Sequence, residues 1–140
     1  TLRSIVCAFK SIAQHLPAIS GQINDIDHAW RQTLVDHAYD MITNPDLMIK
    51  RSASLTLGHF AKKWRSGNFI PSVCNRIRSA IMATLEKKGD AAVINEYAGY
   101  VTALGYLWIH STNMPETRSL ISTVSFINIS SFCLLSFVSI

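Results

Sequence analysis

Two short segments of this 140-residue chain repeat one another 47 residues apart. LTLGHF, which contains Gly58, aligns with TALGYL, which contains Gly105, when the two glycines are superposed. Both segments lie in stretches with helical apolar spacing, where a glycine costs about 1 kcal/mol relative to alanine. A glycine at the same point of two helices predicts close approach of a neighbouring helix, which a side chain would obstruct. Gly58 and Gly105 are therefore predicted to be helix-packing glycines.

Helical apolar spacing extends over most of the chain, and turn signals divide it into segments. Capping residues, prolines and glycines predict helices over residues 4–16, 24–43, 45–63, 71–88 and 91–110. Pro45 and Asp46 suit a first turn, because proline there needs no hydrogen-bond donor and a carboxylate stabilises the positive helix end. Outside the C-terminal tail, no stretch has the alternation of a strand. The sequence predicts an all-α fold.

The order of these helices predicts an architecture as well as a class. Long helices joined alternately by tight turns and looser loops are expected to form antiparallel pairs that stack into an α-solenoid, a HEAT-like superhelix. A spacing of 47 lies at the upper end of the range for armadillo and HEAT repeats, about 40 to 47 residues. We expect a single solenoid fragment over residues 1–140, consisting of a partial helix in 1–20, repeats in 24–65 and 69–110, and a partial repeat or apolar tail in 115–140.

The first of these repeats carries a family resemblance. Its turn and second helix resemble those of a HEAT repeat at Asn44-Pro45-Asp46, Ile49, Lys50-Arg51, Ala53 and Leu57-Gly58. More narrowly, MITNPDLMIKRSASLTLGHFAK, a basic helix and then GYVTALGYLWIH are similar to a segment of very large HEAT-repeat proteins. Those proteins act as accessory factors of the clathrin adaptor at the trans-Golgi network and endosomes. The similarity covers about residues 30–122.

The resemblance implies a binding function and no catalytic activity. A protein of this family is a cytoplasmic scaffold of vesicle-mediated transport, peripheral on trans-Golgi or endosomal membranes. It binds protein partners, here clathrin-adaptor components, through an extended helical surface. No catalytic residue and no cofactor carries over from the family to this chain.

The side-chain chemistry agrees with a non-enzymatic protein. The histidines form no HExxH pattern, the cysteines no CxxC and the serines no GxSxG, so neither a metal site nor a catalytic triad is expected. Asp36 and Asp40 share a helix face, but paired carboxylates on a solvated face seldom catalyse. Cys7, Cys74 and Cys133 are predicted to be buried free thiols, as in a reducing compartment such as the cytoplasm.

Basic residues are concentrated in the middle of the chain. Residues 49–88 carry nine basic side chains and one acidic, whereas residues 1–48 carry three and five. Stacked helices could gather them into a basic edge, with Lys50, Arg51, Lys62, Lys63, Arg65, Arg76 and Arg78 as candidate partner-binding residues. Such an edge supports an alternative function, a basic helical module that binds nucleic acid or an anionic membrane surface. Nucleic acid is disfavoured because few aromatic residues are interleaved with the charges. The structural alternative is that these basic residues form a solvated outer face and bind no partner.

The C-terminal tail has three interpretations. Residues 120–140 contain no charge, 13 apolar residues and six serines. They are long enough for a membrane anchor, which needs about 20 mostly apolar residues, but a truncated solenoid helix and aberrant sequence are alternatives. The chain begins at Thr1 without the features of a signal peptide, and we expect it to be a piece of a longer protein.

Overall fold

The computed structural model describes residues 2–15, 24–65, 67–87, 89–111, 114–115, 117–119 and 121–122. Within these residues there is no strand, and the long elements are five α-helices. They are α1 (Leu2–His15), α2 (Asp25–Met41), α3 (Leu47–Lys63), α4 (Phe69–Leu85) and α5 (Ala91–His110). The all-α fold class predicted from the sequence is confirmed.

Three helices begin where the sequence places a capping side chain. In each, an Asn or Asp oxygen accepts a hydrogen bond from a backbone N–H of the first turn, at Asn24, Asp46 and Asp90. Asp46 accepts two such bonds, from the N–H groups of Met48 at 2.9 Å and Ile49 at 3.2 Å. These bonds satisfy donors that have no partner within the helix.

The fourth helix begins earlier than its proline suggests. α4 starts at Phe69, so that Pro71 lies in its first turn. The chain reverses just before it through two residues with left-handed backbone, Gly67 with φ 85° and Asn68 with φ 59°. Glycine adopts this conformation without steric cost, and asparagine is among the residues that tolerate it best.

Helices α1, α3 and α5 lie side by side, with α3 in the middle. Near the middle of both helices, the Thr56 hydroxyl of α3 donates a hydrogen bond to the Phe9 carbonyl of α1 at 3.4 Å. Further along both helices, Lys63 Nζ donates to the Gln14 carbonyl at 3.0 Å. The second contact lies nearer the carboxyl end in both helices, so α1 and α3 run in the same direction.

The same relation holds between α3 and α5, which form the most extensive helix interface. Lys50 Nζ donates to Asn95 Oδ1 at 2.5 Å near the start of both helices. Gly58 lies against Tyr106 two turns later. α2 and α4 are also parallel, because His28 stacks on Phe69 with ring centroids 4.7 Å apart and Asp36 pairs with Arg76.

The core is centred on the end of α3. Trp64 is fully buried and stacks on Phe60, with ring centroids 4.1 Å apart and planes 6° from parallel. Trp30 of α2 meets the same indole edge-on at 6.1 Å. The buried guanidinium of Arg31 lies over both indoles, 4.5 Å from the Trp30 centroid and 4.9 Å from the Trp64 centroid. The attraction between cation and ring stabilises a charge removed from water.

The two glycines of the sequence repeat have different environments. A Cβ added at Gly58 would lie 2.7 Å from His110 Cδ2 and 3.1 Å from Tyr106 Cβ, so the predicted close approach is confirmed there. Gly105 is exposed, and a Cβ added to it would meet nothing within 4 Å. The prediction that Gly105 is a helix-packing glycine is therefore wrong, because its face of α5 has no neighbouring helix among the described residues.

A third glycine, which the sequence reasoning passed over, makes the tightest contact. A Cβ at Gly99 would overlap the carbonyl oxygen of Ile42 and lie 3.3 Å from Thr43 Cα. Asn95, one turn earlier on α5, donates to the Thr43 carbonyl at 2.9 Å. The connection between α2 and α3 is therefore fixed against the backbone of α5.

The predicted buried thiols are only partly found. Cys74 is buried, and burial raises its pKa to about 12, which makes it unreactive. Cys7 is exposed, so the prediction of burial is wrong there, because it lies on the outer side of α1. Cys133 and the tail interpretations fall on residues 123–140, which lie outside the described residues. None of the described helices combines the length and hydropathy that a membrane span requires.

Candidate protein-binding groove

An open groove of about 690 Å³ follows α4 where α2 lies beside it. Six of its seven lining residues have a polar side-chain group, and the lining comes from one residue of α2 and six residues in or next to α4. They are Tyr39, Asn68, Ser72, Asn75, Arg76, Ser79 and Ala80. We call this surface the polar groove.

Helical spacing places the hydroxyl and amide groups of the polar groove in a row. Asn68 is the residue before α4, and Ser72, Asn75 and Ser79 follow it at intervals of four, three and four residues. These intervals bring side chains to one face of a helix. Each amide can both donate and accept hydrogen bonds, and each hydroxyl can do the same. Such a row can exchange hydrogen bonds with the N–H and C=O groups of a peptide main chain.

A fixed charge pair lies at the edge of this row. Arg76 Nη1 contacts Asp36 Oδ1 at 2.5 Å, and the same oxygen accepts a hydrogen bond from Gln32 Nε2 at 3.0 Å. The guanidinium also lies 4.0 Å from the centroid of the Tyr39 ring. Arg76 is therefore held in one orientation, and much of its charge is balanced within the protein.

Tyr39 lines the groove from α2, and its ring lies 6.4 Å from the ring of Tyr100, centroid to centroid. Burial raises the pKa of Tyr39, and it raises the pKa of Tyr100 to about 12. Both hydroxyls are therefore protonated at neutral pH. The groove therefore presents neutral hydrogen-bonding groups beside the paired side chains of Arg76 and Asp36.

The predicted basic edge is dispersed. Lys50 is buried, with 6 % of its surface exposed and its ammonium bound to Asn95, so its assignment to an exposed edge is wrong. Arg76 contacts α2, whereas Lys63 contacts α1 on another side of the molecule. Residues with long aliphatic stems can be buried when the charged head finds a polar partner. The remaining exposed members are Arg51, Lys62, Arg65 and Arg78.

No group of three or more histidine, cysteine, aspartate or glutamate side chains could hold a metal ion in the described part of the chain. The nearest arrangement of histidines is a pair at the α3–α5 interface. His59 and His110 stack with ring centroids 5.5 Å apart and planes 26° from parallel. Burial lowers the pKa of both rings, and the charges of His110, Lys63 and Lys62 lower that of His59 further.

This histidine pair predicts the direction of one pH effect. A histidine whose pKa is lower in the folded state stabilises the fold fully above its unfolded pKa of about 6.5, and this stabilisation is lost as pH falls through the folded value. We expect the urea midpoint of unfolding to fall between pH 7 and pH 5. The fall should be smaller for a His59→Gln, His110→Gln double variant than for the wild type. Equal falls in the two proteins would contradict this assignment.

The sequence reasoning missed the polar groove because it sought charged and catalytic residues. Asn68, Ser72, Asn75 and Ser79 carry no charge and match no motif. Their spacing of four, three and four, on one face of a helix whose buried face is apolar, is the signal that could have identified them.

Comparison with protein-family models, with curated proteins and with solved structures gives no match to this chain. The resemblance to HEAT repeats and to clathrin-adaptor accessory proteins therefore stays a prediction from the sequence. Any functional proposal depends on the polar groove and on the packing of the helices.

Proposed function

We propose that this chain is a fragment of an α-solenoid and serves as a non-enzymatic protein-binding scaffold. The parallel course of α1, α3 and α5, together with that of α2 and α4, supports the stacking of equivalent helices. The contact of Trp30, early in α2, with Trp64, at the end of α3, supports an antiparallel pair. Repeats of this kind contact their neighbours and present long continuous surfaces.

The polar groove is the observation that carries the proposal. It is open and follows α4 for more than two turns. It presents neutral hydrogen-bond donors and acceptors along one face of that helix. The partner segment that fits it is an extended peptide bound through its main chain, with Arg76 and Tyr39 contacting its side chains. Because hydrogen bonds to the main chain carry little sequence information, neighbouring surfaces would supply specificity.

The sequence resemblance supports a particular partner and place. We propose that clathrin-adaptor components bind this surface, in the cytoplasm and at trans-Golgi or endosomal membranes. The chemistry of the groove is compatible with such a partner, because peptides in protein partners present main-chain groups wherever they are extended.

A binding measurement with purified clathrin-adaptor complex tests this function. The groove variant replaces Ser72, Asn75 and Ser79 by alanine, a strong helix former that should leave α4 intact. Loss of several hydrogen bonds, each contributing about 0.5 to 1.5 kcal/mol, should weaken binding by about tenfold or more. Surface plasmon resonance with the immobilised 140-residue chain gives the dissociation constants.

The matched control distinguishes the alternative function. A second variant replaces the exposed basic residues Arg51, Lys62, Arg65 and Arg78 by alanine and should bind the adaptor like the wild type. Binding to DNA or anionic vesicles that falls steeply with salt and is lost in this second variant would instead support a basic helical module. Absence of adaptor binding by the wild type would reject the proposed partner.

A further inference from the structure

One face of α5 is apolar and exposed. Ile94, Val101 and Trp108 have 39 %, 40 % and 38 % of their surface exposed, and they follow one another at seven-residue intervals. Ala98 and Gly105 lie between them and are also exposed. This set, which we call the α5 stripe, contains no charged residue and extends about 21 Å along the helix. Its alternating intervals of four and three residues are those of the seam along which two helices pack in a coiled coil.

The described part of the chain leaves the α5 stripe uncovered. α3 packs against the side of α5 that carries Tyr106, and a Cβ added at Gly105 would meet nothing within 4 Å. After α5, the guanidinium of Arg118 lies 4.4 Å from the centroid of the Trp108 ring, and Ile121 is then buried in the core. An apolar helix face of this length is normally buried against another element.

The two ends of the α5 stripe carry opposite charges. Asp90 is exposed four residues before Ile94, on the same face of the helix, and its carboxylate accepts a hydrogen bond from the Val93 N–H at 2.9 Å. At the other end, Arg118 lies over Trp108, and its Nη2 donates to the Trp108 carbonyl at 3.2 Å. An occupant that fits the whole stripe is therefore apolar along its length, basic at one end and acidic at the other.

We propose that this occupant is the α5 stripe of a second copy of the chain, packed antiparallel about a two-fold axis beside Val101. A two-fold interface joins one surface to itself, so that surface must be self-complementary. In the antiparallel order Val101 meets its counterpart and Ile94 lies opposite Trp108. Ala98 then lies opposite Gly105, and these two small residues allow the helices to approach closely.

The charges select the antiparallel order. In that order Asp90 of each copy lies beside Arg118 of the other copy, one turn beyond the contact between Ile94 and Trp108, so the dimer contains two ion pairs between the copies. A parallel pair would place Asp90 opposite Asp90 and Arg118 opposite Arg118, and like charges across an interface are destabilising. The antiparallel order also places the positive end of each helix dipole beside the negative end of the other.

The size of the contact determines its strength. A stable complex buries about 800 Å² and roughly 20 to 30 residues of each partner, whereas the α5 stripe consists of five residues and is flanked by one ion pair at each end. We therefore expect a dissociation constant in the micromolar range. The polar groove lies on α2 and α4, so the dimer does not depend on adaptor binding there.

Sedimentation equilibrium of the 140-residue chain tests the dimer. The wild type should change from monomer to dimer between about 5 and 500 µM, a range that brackets a micromolar dissociation constant. Val101→Lys places two like charges at the two-fold axis and should weaken association by about tenfold or more. Met82→Lys makes a similar change at an exposed position of α4 and should associate like the wild type. A wild type that stays monomeric, or equal association of the two variants, would overturn the proposal.

Disulfide cross-linking tests the position of the two-fold axis. The background carries Cys7→Ser and Cys133→Ser, and Cys74 is buried and unreactive. Mild oxidation of Val101→Cys should give a disulfide-linked dimer on non-reducing electrophoresis. Ile109→Cys, an exposed position of α5 outside the stripe, is the control and should give at most about a tenth as much dimer. Equal yields at the two positions would contradict the proposed axis.

A mixture of two variants tests the antiparallel order. Ile94→Cys and Trp108→Cys in the same background should each form little disulfide alone and should join to one another when mixed, as shown by peptide mass spectrometry. Ile94→Cys joined to itself, without a bond to Trp108→Cys, would show a parallel pair and overturn the proposal.

Two further results would assign the α5 stripe to a different occupant and reject the dimer. One is a monomer in which maleimide labels Val101→Cys at least about tenfold more slowly than Met82→Cys, because the same chain then covers the stripe. The other is a monomer that binds neutral phosphatidylcholine vesicles and loses this binding in Val101→Lys, because a membrane then covers it.

Discussion

Replacing Gly99 by alanine is expected to lower the free energy of unfolding by about 3 kcal/mol or more, at the upper end of the usual cost of overpacking. The added methyl group would overlap the carbonyl oxygen of Ile42, which belongs to the backbone of the connection between α2 and α3. Backbone cannot rotate away as a side chain can. The connection would have to shift, and the hydrogen bond from Asn95 to Thr43 would be strained.

The other helical glycines provide matched controls for this result. Gly105→Ala should raise the free energy of unfolding by about 1 kcal/mol, because it gains helix propensity and meets no neighbour. Gly58→Ala should fall between the two, since its closest neighbour is the ring of His110, which can rotate. Urea unfolding followed by circular dichroism measures all three. A Gly99→Ala protein as stable as the Gly105→Ala protein would contradict the close contact between α5 and the α2–α3 connection.

Replacing Trp64 by alanine is expected to lower the free energy of unfolding by about 3 to 5 kcal/mol, the usual cost of emptying a large buried site. The indole is in contact with Phe60, Trp30 and Phe69, so its loss opens a cavity shared by three helices. It also removes one of the two rings over the buried guanidinium of Arg31, whose Nε and Nη1 have no hydrogen-bond partner among the described residues.

A smaller aromatic residue at the same position separates these effects. Trp64→Phe keeps a ring in the stack with Phe60 and should cost about 1 to 2 kcal/mol, within the common range for single substitutions. Thermal and urea unfolding of both variants give the comparison. If Trp64→Ala were no less stable than Trp64→Phe, the core would not be centred on this indole.

The helices could be predicted from the sequence because their signals are local. Asn24, Asp46 and Asp90 each act within three residues of the helix that they begin, and apolar spacing needs only the helix itself. The same locality explains the errors. Gly58 and Gly105 have the same sequence context, but only Gly58 has a neighbouring helix, and no pattern within six residues records that difference.

The candidate site was harder to predict because it depends on contacts between helices. Lys50 looks like a surface charge, yet Asn95, 45 residues later, provides the partner that allows its burial. Arg76 looks like part of a basic edge, yet Asp36 balances its charge. The polar groove exists only because α2 lies beside α4, which no single helix specifies.

Nuclear Overhauser contacts in the full chain test most directly the claim that α1, α3 and α5 lie in one row with α3 between the others. The row predicts contacts from the Gly58 Hα protons to the Tyr106 side chain and from Phe9 to Thr56, with none between α1 and α5. Contacts between α1 and α5, with none between Gly58 and Tyr106, would show a closed bundle and contradict the account.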